Sequence, residues 1–286
     1  MKLLALLLLV GAAAAVPGGK IVGGHECIPH SRPWMASLNS GYHFCGAVLI
    51  NEQWVLTVAN CGHKSYSVQI MLGDHNLRVS EGTEQLIRIE NIILHPRQAT
   101  PPDFGMSFET PEQSMNGFQL YLIKPKYHGL SPPLCSYDEQ TMDYDIMLIK
   151  LFQPVNINDY VKPLPLPAKC PNAGTPCSVS GWGVDIMGEE VNQSILLQCL
   201  NVPILENEKC QKIYPTIITP RMMCAGYLDG GRDVCIGDSG SGLECLGELQ
   251  GLVSMGRECG TPGSPGVYVK VCEFLPWISE TIKANM

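Results

Sequence analysis

A chain of 286 residues with 45% hydrophobic and 16% charged side chains buries a large core, and this composition excludes a disordered polymer. Nineteen Lys and Arg against 27 Asp and Glu leave a formal charge of -8, which excludes a phosphate-tracking surface and removes nucleic acid from the expected partners. Thirteen cysteines without a CxxC pair of a zinc site point to disulfides made in an oxidising, secretory compartment.

At the N-terminus, Lys2 precedes the apolar run 3–10 and the small residues Ala13, Ala14 and Ala15, which reads as a signal peptide over residues 1–15. A membrane anchor needs about 20 apolar residues. This core is shorter and no later stretch qualifies, so a soluble, exported product without a membrane partner is expected, with a retained anchor as the alternative. Short β-branched or alternating runs follow at 54–58, 67–72, 86–94 and 145–151, punctuated by Gly, Pro and Asn. More stand at 178–182, 196–205, 249–255 and 266–271, the spacing of an all-β sandwich or barrel pair. Leu275, Ile278 and Ile282 recur at helical spacing and predict one C-terminal helix over 274–284.

The stretch 97–140 breaks this pattern. It is polar and Pro-rich (QATPPDFGMSFETPEQ, then HGLSPPLCSYDEQ) and too long for an ordinary loop of a compact domain. It is an inserted surface loop or translated sequence foreign to the mature message, with a functional loop as the lesser alternative. It holds Cys135, the odd cysteine, which stays free, reshuffles a native pair or bridges to another molecule.

The string GDSGSG at 237–242 lies between Cys235 and Cys245. A serine flanked by glycines on a sharp turn exposes its hydroxyl and aims backbone N–H groups, here those of Gly237 and Ser239, at a developing oxyanion. Its company makes it specific: IVGG at 21–24 after Lys20, LTVANC at 56–61, YDIMLIKL at 144–151, SGWG at 180–183 and PGVYVKV at 265–271. In that order these segments resemble the trypsin branch of the chymotrypsin-type serine proteases, over nearly all of residues 21–286 outside 97–140. The resemblance implies an all-β fold of two packed six-stranded antiparallel β-barrels, about 21–163 and 164–286, with a cleft between them and a C-terminal α-helix. It further implies the disulfides Cys27–Cys199, Cys45–Cys61, Cys170–Cys272, Cys177–Cys245, Cys210–Cys224 and Cys235–Cys259, and leaves Cys135 as the spare.

Matched residue by residue, Ser239 is the nucleophile, Asp145 the carboxylate that orients the base, and Gly237 with Ser239 the oxyanion hole. The family's base histidine is replaced by Asn60, and an amide does not accept a serine proton near neutral pH. Loss of the base alone costs about six decades of turnover, or roughly 8 kcal/mol. His63, three residues on, is either a displaced substitute base or an ordinary loop histidine, and His43 is read as structural. Ser241-Gly242 replaces the usual Gly-Pro, and Met255 replaces a tryptophan of the cleft wall. Asp233, Gly256 and Gly266 match a slot for a Lys or Arg side chain.

The same resemblance implies a zymogen. Residues 16–20 form the activation propeptide, and cleavage after Lys20 frees the Ile21 ammonium to pair with Asp238. The propeptide lacks the acidic run usual before that lysine. The loop 73–84 resembles the family's calcium loop, with Asp74 and Glu84 as carboxylate ligands, Asn76 and Val79 as carbonyl ligands and Glu81 acting through water. A solvated acidic turn is the alternative, since Asp74 is shorter than the usual Glu. Asn192-Gln193-Ser194 is a glycosylation sequon. The expected function is that of a secreted, catalytically impaired serine protease homologue that binds peptides, proteins or trypsin inhibitors through Lys or Arg. An active endopeptidase cleaving after Lys or Arg is the alternative, and a decaying gene product without a selected role is a third.

Overall fold

In the computed structural model the residues described are 21–62, 68–96, 136–187 and 190–286. The expected signal peptide and propeptide, Lys20, His63 and Cys135 lie outside them. After the two-residue strand β1 (His25–Glu26), six strands form a closed antiparallel barrel. They are β2 (Met35–Asn39), β3 (His43–Asn51), β4 (Trp54–Thr57), β5 (Gln69–Leu72), β6 (Gln85–Leu94) and β7 (Met147–Leu151), closed in the order β2-β3-β4-β7-β6-β5. Apolar side chains from every strand, among them Leu38, Val48, Leu56, Ile70, Ile87 and Leu148, fill it. This core continues into Leu249, Leu252, Phe274 and Ile278, so the two halves of the chain are packed as one body.

The second half holds β8 (Pro176–Gly181), β9 (Val184–Met187), β10 (Glu190–Gln193), β11 (Gln198–Pro203), α1 (Asn207–Ile213) and β12 (Met222–Ala225). Then come β13 (Gly242–Cys245), β14 (Glu248–Met255), β15 (Gly266–Lys270), a 3-10 turn at Val271–Phe274 and α2 (Leu275–Ala284). Strands β9 and β10 pair only with each other; the rest form a curled seven-stranded sheet in the order β1-β11-β8-β13-β14-β15-β12. The expected second six-stranded barrel therefore carries β1 as an extra strand on one flank. Its closure is local, through the bridge Ile204–Ala225 and the bonds Leu205 N to Cys224 O (2.9 Å) and Gly226 N to Pro203 O (3.1 Å).

The predicted strand runs coincide with β4 to β8, β11, β14 and β15. The run expected from 145 starts later, at Met147, because Tyr144 to Ile146 form a tight turn closed by Ile146 N to Tyr144 O at 2.7 Å. Helix α1 was not expected: only Cys210 in it is buried, so seven residues carry no apolar stripe. The six disulfides are Cys27–Cys199, Cys45–Cys61, Cys170–Cys272, Cys177–Cys245, Cys210–Cys224 and Cys235–Cys259. At the far end of the 97–140 stretch, residues 136–140 belong to the folded body. Ser136 donates its N–H to His95 O (2.9 Å) and its hydroxyl to Pro96 O (2.7 Å), Tyr137 is buried, and Asp138 bridges to Asp143.

Candidate active site

Three segments converge on Asp145. The 3-10 turn Ala59–Cys61 follows β4, the turn at Tyr144 precedes β7, and β14 runs in from the second half. The register of β14 against β15 slips between Val253 and Met255. Such a bulge re-aims one side chain. Here Ser254 turns to donate its hydroxyl to Asp145 Oδ2 at 2.6 Å.

Asn60 supplies the other bonds. Its backbone N–H donates to Asp145 Oδ1 (2.8 Å), and its Nδ2 donates to Asp145 Oδ2 (2.8 Å) and to the carbonyl of Ser254 (3.3 Å). Both acceptors lack hydrogens, which fixes the orientation of the amide and commits its donor end. Burial pushes the Asp145 carboxyl up to about 6 despite these bonds. Ser254 is the functional residue that the sequence did not single out. Its hydroxyl matters only because a bulge turns it inward, and a bulge is a property of strand pairing.

Ser239 stands half-buried on the turn between Cys235 and β13, and its carbonyl accepts from Gly46 N at 2.8 Å. Gly237 has φ 94°, a left-handed conformation that suits glycine. Neither Gly237 N–H nor Ser239 N–H donates to a protein acceptor among the described residues, so both remain available to an oxyanion. The turn is held from beneath. His43 is buried and its imidazole is pushed down to about 4 by burial, so it is neutral. Gly237 O can only accept, so Nε2 carries the proton and donates at 3.0 Å, while Nδ1 accepts the Ser37 hydroxyl at 2.7 Å. The neighbouring Ser241 hydroxyl is buried without a partner among the described residues, beside Gly46 and Gly181.

Asp233 lies at the bottom of the second half, its Oδ1 accepting from Val234 N (2.9 Å) and its Oδ2 from Gly260 N (3.1 Å). Burial raises its carboxyl to about 6. A Cβ on Gly266 would sit 3.3 Å from Asp233 Oδ1, whereas one on Gly256 would meet nothing within 4 Å. Glycine at 266 thus keeps a side chain off the buried carboxylate, and Gly256 is exposed beside open space. Met255 does not face that space alone; it packs on the cluster of Tyr214, Met222 and Val267.

Ile21 is fully buried in the core of the second half, beside the Val22–Asp233 bridge. Asp238 is also fully buried. Its oxygens accept from Gly183 N (2.8 Å) and Cys235 N (2.9 Å), yet burial raises its carboxyl to about 7. Elsewhere, Asp74, Glu81 and Glu84 present carboxylate oxygens within 4.8 Å of one another. Asp74 Oδ1 is buried without a partner among the described residues, and burial, then the charges of Glu84 and Glu81, raise Asp74 to about 6. Converging carboxylates with an orphaned oxygen fit a hard cation. Of the other expected ligands, the Asn76 carbonyl accepts from Val79 N at 3.0 Å, on an exposed turn. Asn192 lies on β10.

A family model described as Trypsin matches residues 21–105 and 133–278, so the break between the matched blocks falls inside the 97–140 stretch. The chain is 50% identical over 287 aligned residues to "Trypsin" of Pleuronectes platessa, covering 99% of each. It is 44% identical to "Serine protease 1" of Rattus norvegicus and 43% identical to "Anionic trypsin" of Bos taurus, covering 100% of each pair.

Proposed function

The chain belongs to the trypsin family of serine proteases, and on that premise we propose that it is a secreted homologue whose turnover is blocked at residue 60. Its slot for Lys or Arg is retained, so it acts as a binding protein for basic peptides or for inhibitors of its active relatives. The observation that carries this is the Asn60 amide, which donates to Asp145 at 2.8 Å where an orienting ring N–H belongs, and brings no group able to take the Ser239 proton. Silence of the processed protein toward an Arg-amide substrate, together with binding of an amidine in the slot, is the expected result; rapid hydrolysis by that protein sinks the proposal. The alternative, an active endopeptidase cleaving after Lys or Arg, draws its support from relatives named as trypsins and from the retained Ser239, Asp145 and oxyanion turn.

Secretion follows from the leader over 1–15, and in the described residues no helix is long and apolar enough to cross a membrane. Activation is proposed to run through cleavage after Lys20. Among the described residues no cation pairs with the buried Asp238, whose carboxyl is raised, and the Ile21 ammonium would supply one.

The slot gives a prediction with a definite sign. Benzamidine, an arginine-like cation, binds the native chain, and Asp233→Asn weakens it roughly 100-fold or more, as loss of one partner of a desolvated pair does. Because burial lifts Asp233 to about 6, the carboxylate is charged above that pH and protonated below it. Affinity therefore holds above pH 6 and falls by about tenfold per pH unit beneath it. Calorimetry across pH 4 to 8 checks this; a flat profile contradicts the assignment of Asp233.

For the acidic loop we propose Ca2+ held by Asp74 and Glu84, with Glu81 acting through water and the Asn76 and Val79 carbonyls completing the set. The ion acts structurally, neutralising like charges that now raise Asp74. Saturating Ca2+ is expected to raise the melting temperature by about 5 °C or more. Asp74→Asn should abolish that shift, and a wild-type protein indifferent to Ca2+ removes the site.

A further inference from the structure

We infer that the Arg221–Asp143 ion pair is a latch between the two halves of the molecule that positions the Asp145 carboxylate. Asp143 stands two residues before Asp145, on the segment leading into β7 of the first barrel. Arg221 stands immediately before β12 of the second. One carboxylate takes three side-chain donors across this boundary: Thr219 Oγ1 (2.9 Å) and Arg221 Nε (2.8 Å) on Oδ1, and Arg221 Nη2 (2.5 Å) on Oδ2. The guanidinium thus engages as a fork, which fixes direction as well as distance.

The backbone around Asp143 needs such a hold. Met142 (φ 58°) and Tyr144 (φ 55°) both lie in the left-handed region, which neither side chain favours. They flank Asp143 on either side, and the turn ends directly on Asp145. Local bonds support the turn, Tyr144 N–H donating to Asp143 Oδ1 (2.9 Å) and Asp143 N–H to Thr141 Oγ1 (3.4 Å), and contacts from the second half add to them. The Tyr144 ring lies under the Arg221 guanidinium (4.3 Å) and against His95 (4.8 Å) and Phe274 (5.9 Å). Arg221 thus fixes both the carboxylate before the turn and the ring inside it. Burial alone would raise the Asp143 carboxyl, yet the bonds from Arg221 and Thr219 hold it below its usual value. Side-chain exposure is 27% for Arg221 and 16% for Asp143, so water competes weakly. Arg221 and Asp143 are positioning residues: they act on Asp145, and through it on whatever side chain residue 60 carries.

The test uses two readouts on the full processed chain. In the native protein the Asn60 side-chain amide hydrogens, held by Asp145 and Ser254, are followed by NMR exchange. Arg221→Met is expected to speed that exchange at least tenfold while benzamidine affinity at Asp233 stays within twofold. In an Asn60→His background the same change is expected to lower kcat about 10- to 100-fold with little change in KM, and adding Asp143→Asn should cost nothing more, because the two act as one unit. Arg221→Lys keeps the charge without the fork and should fall between the two, which also serves if Arg221→Met does not fold. Unchanged Asn60 exchange in a folded Arg221→Met protein overturns the latch, as does an equal loss of benzamidine binding. The kinetic arm rests on the reading that residue 60 alone blocks turnover, and the exchange arm does not. If Asn60→His is silent while Asn60 exchange still responds, the latch stands and the proposed function falls.

Discussion

Asn60→His is expected to raise hydrolysis of an Arg-amide substrate by roughly four to six orders of magnitude in the chain cut after Lys20, and Ser239→Ala in the same background to remove the gain. The ground for so large an effect is that the surroundings of residue 60 are already those a base requires. Asp145 is buried and accepts from the backbone N–H of residue 60 and from Ser254 Oγ at 2.8 and 2.6 Å, neither of which depends on the side chain at 60. The Nδ2 of Asn60 reaches Asp145 Oδ2 at 2.8 Å, so an imidazole N–H has an acceptor waiting along the same line. The oxyanion turn is braced by His43, whose burial keeps it neutral at any working pH above about 4. On the proposed reading, a single missing proton acceptor then accounts for the expected lack of turnover. A steady-state assay settles it: if Asn60→His stays inert although folded and able to bind benzamidine, other departures such as Ser241 or Met255 block turnover too. If the unaltered chain hydrolyses the substrate, the binding-protein reading fails outright.

Gly240→Ala should cost about 3 kcal/mol or more and lower the melting temperature by at least about 6 °C. Gly240 has φ 82°, and a Cβ there would sit 2.2 Å from both Gly46 O and Thr57 Oγ1. Gly46 O is backbone and already accepts the Thr57 hydroxyl at 2.8 Å, so no rotamer change relieves the clash. The second half must move away from β3 and β4, and that seam carries Ser239. Gly41 separates the two causes. It has φ 97° but nothing within 4 Å of its Cβ direction, so Gly41→Ala bears only the conformational cost, roughly 1 to 2 kcal/mol. Thermal unfolding of the two variants side by side gives the steric contribution, and equal losses would refute it.

Some strands that face two ways into the core were legible, and others, β2 and β3 among them, were not. Residues 147–151 are apolar at nearly every position because β7 is central in the closed barrel, and such a run declares itself without a partner. Strands β12 and β13 stayed hidden: four residues each, they are defined by what they pair with, and β9 with β10 exist only as a mutual ribbon. The site divides in the same way. Ser239, Asp145, Asp233 and Asn60 sit in recognisable strings. Ser254 and Arg221 do not, because the first acts through a bulge between β14 and β15, and the second through a carboxylate 78 positions away. Left-handed Met142 and Tyr144 likewise run against their own residue types.

Ser136 bonded back to both His95 and Pro96 has a consequence for how this chain tolerates change. The body closes the circuit on its own side of residues 97–135. The entropy of tying the ends is then already met by folded contacts, and lengthening what lies between adds only about 0.6 kcal/mol per doubling. Lineages can therefore gain, lose or rewrite sequence at this joint without renegotiating the barrels. The same joint offers an engineer a port, the place to try inserting a reporter first.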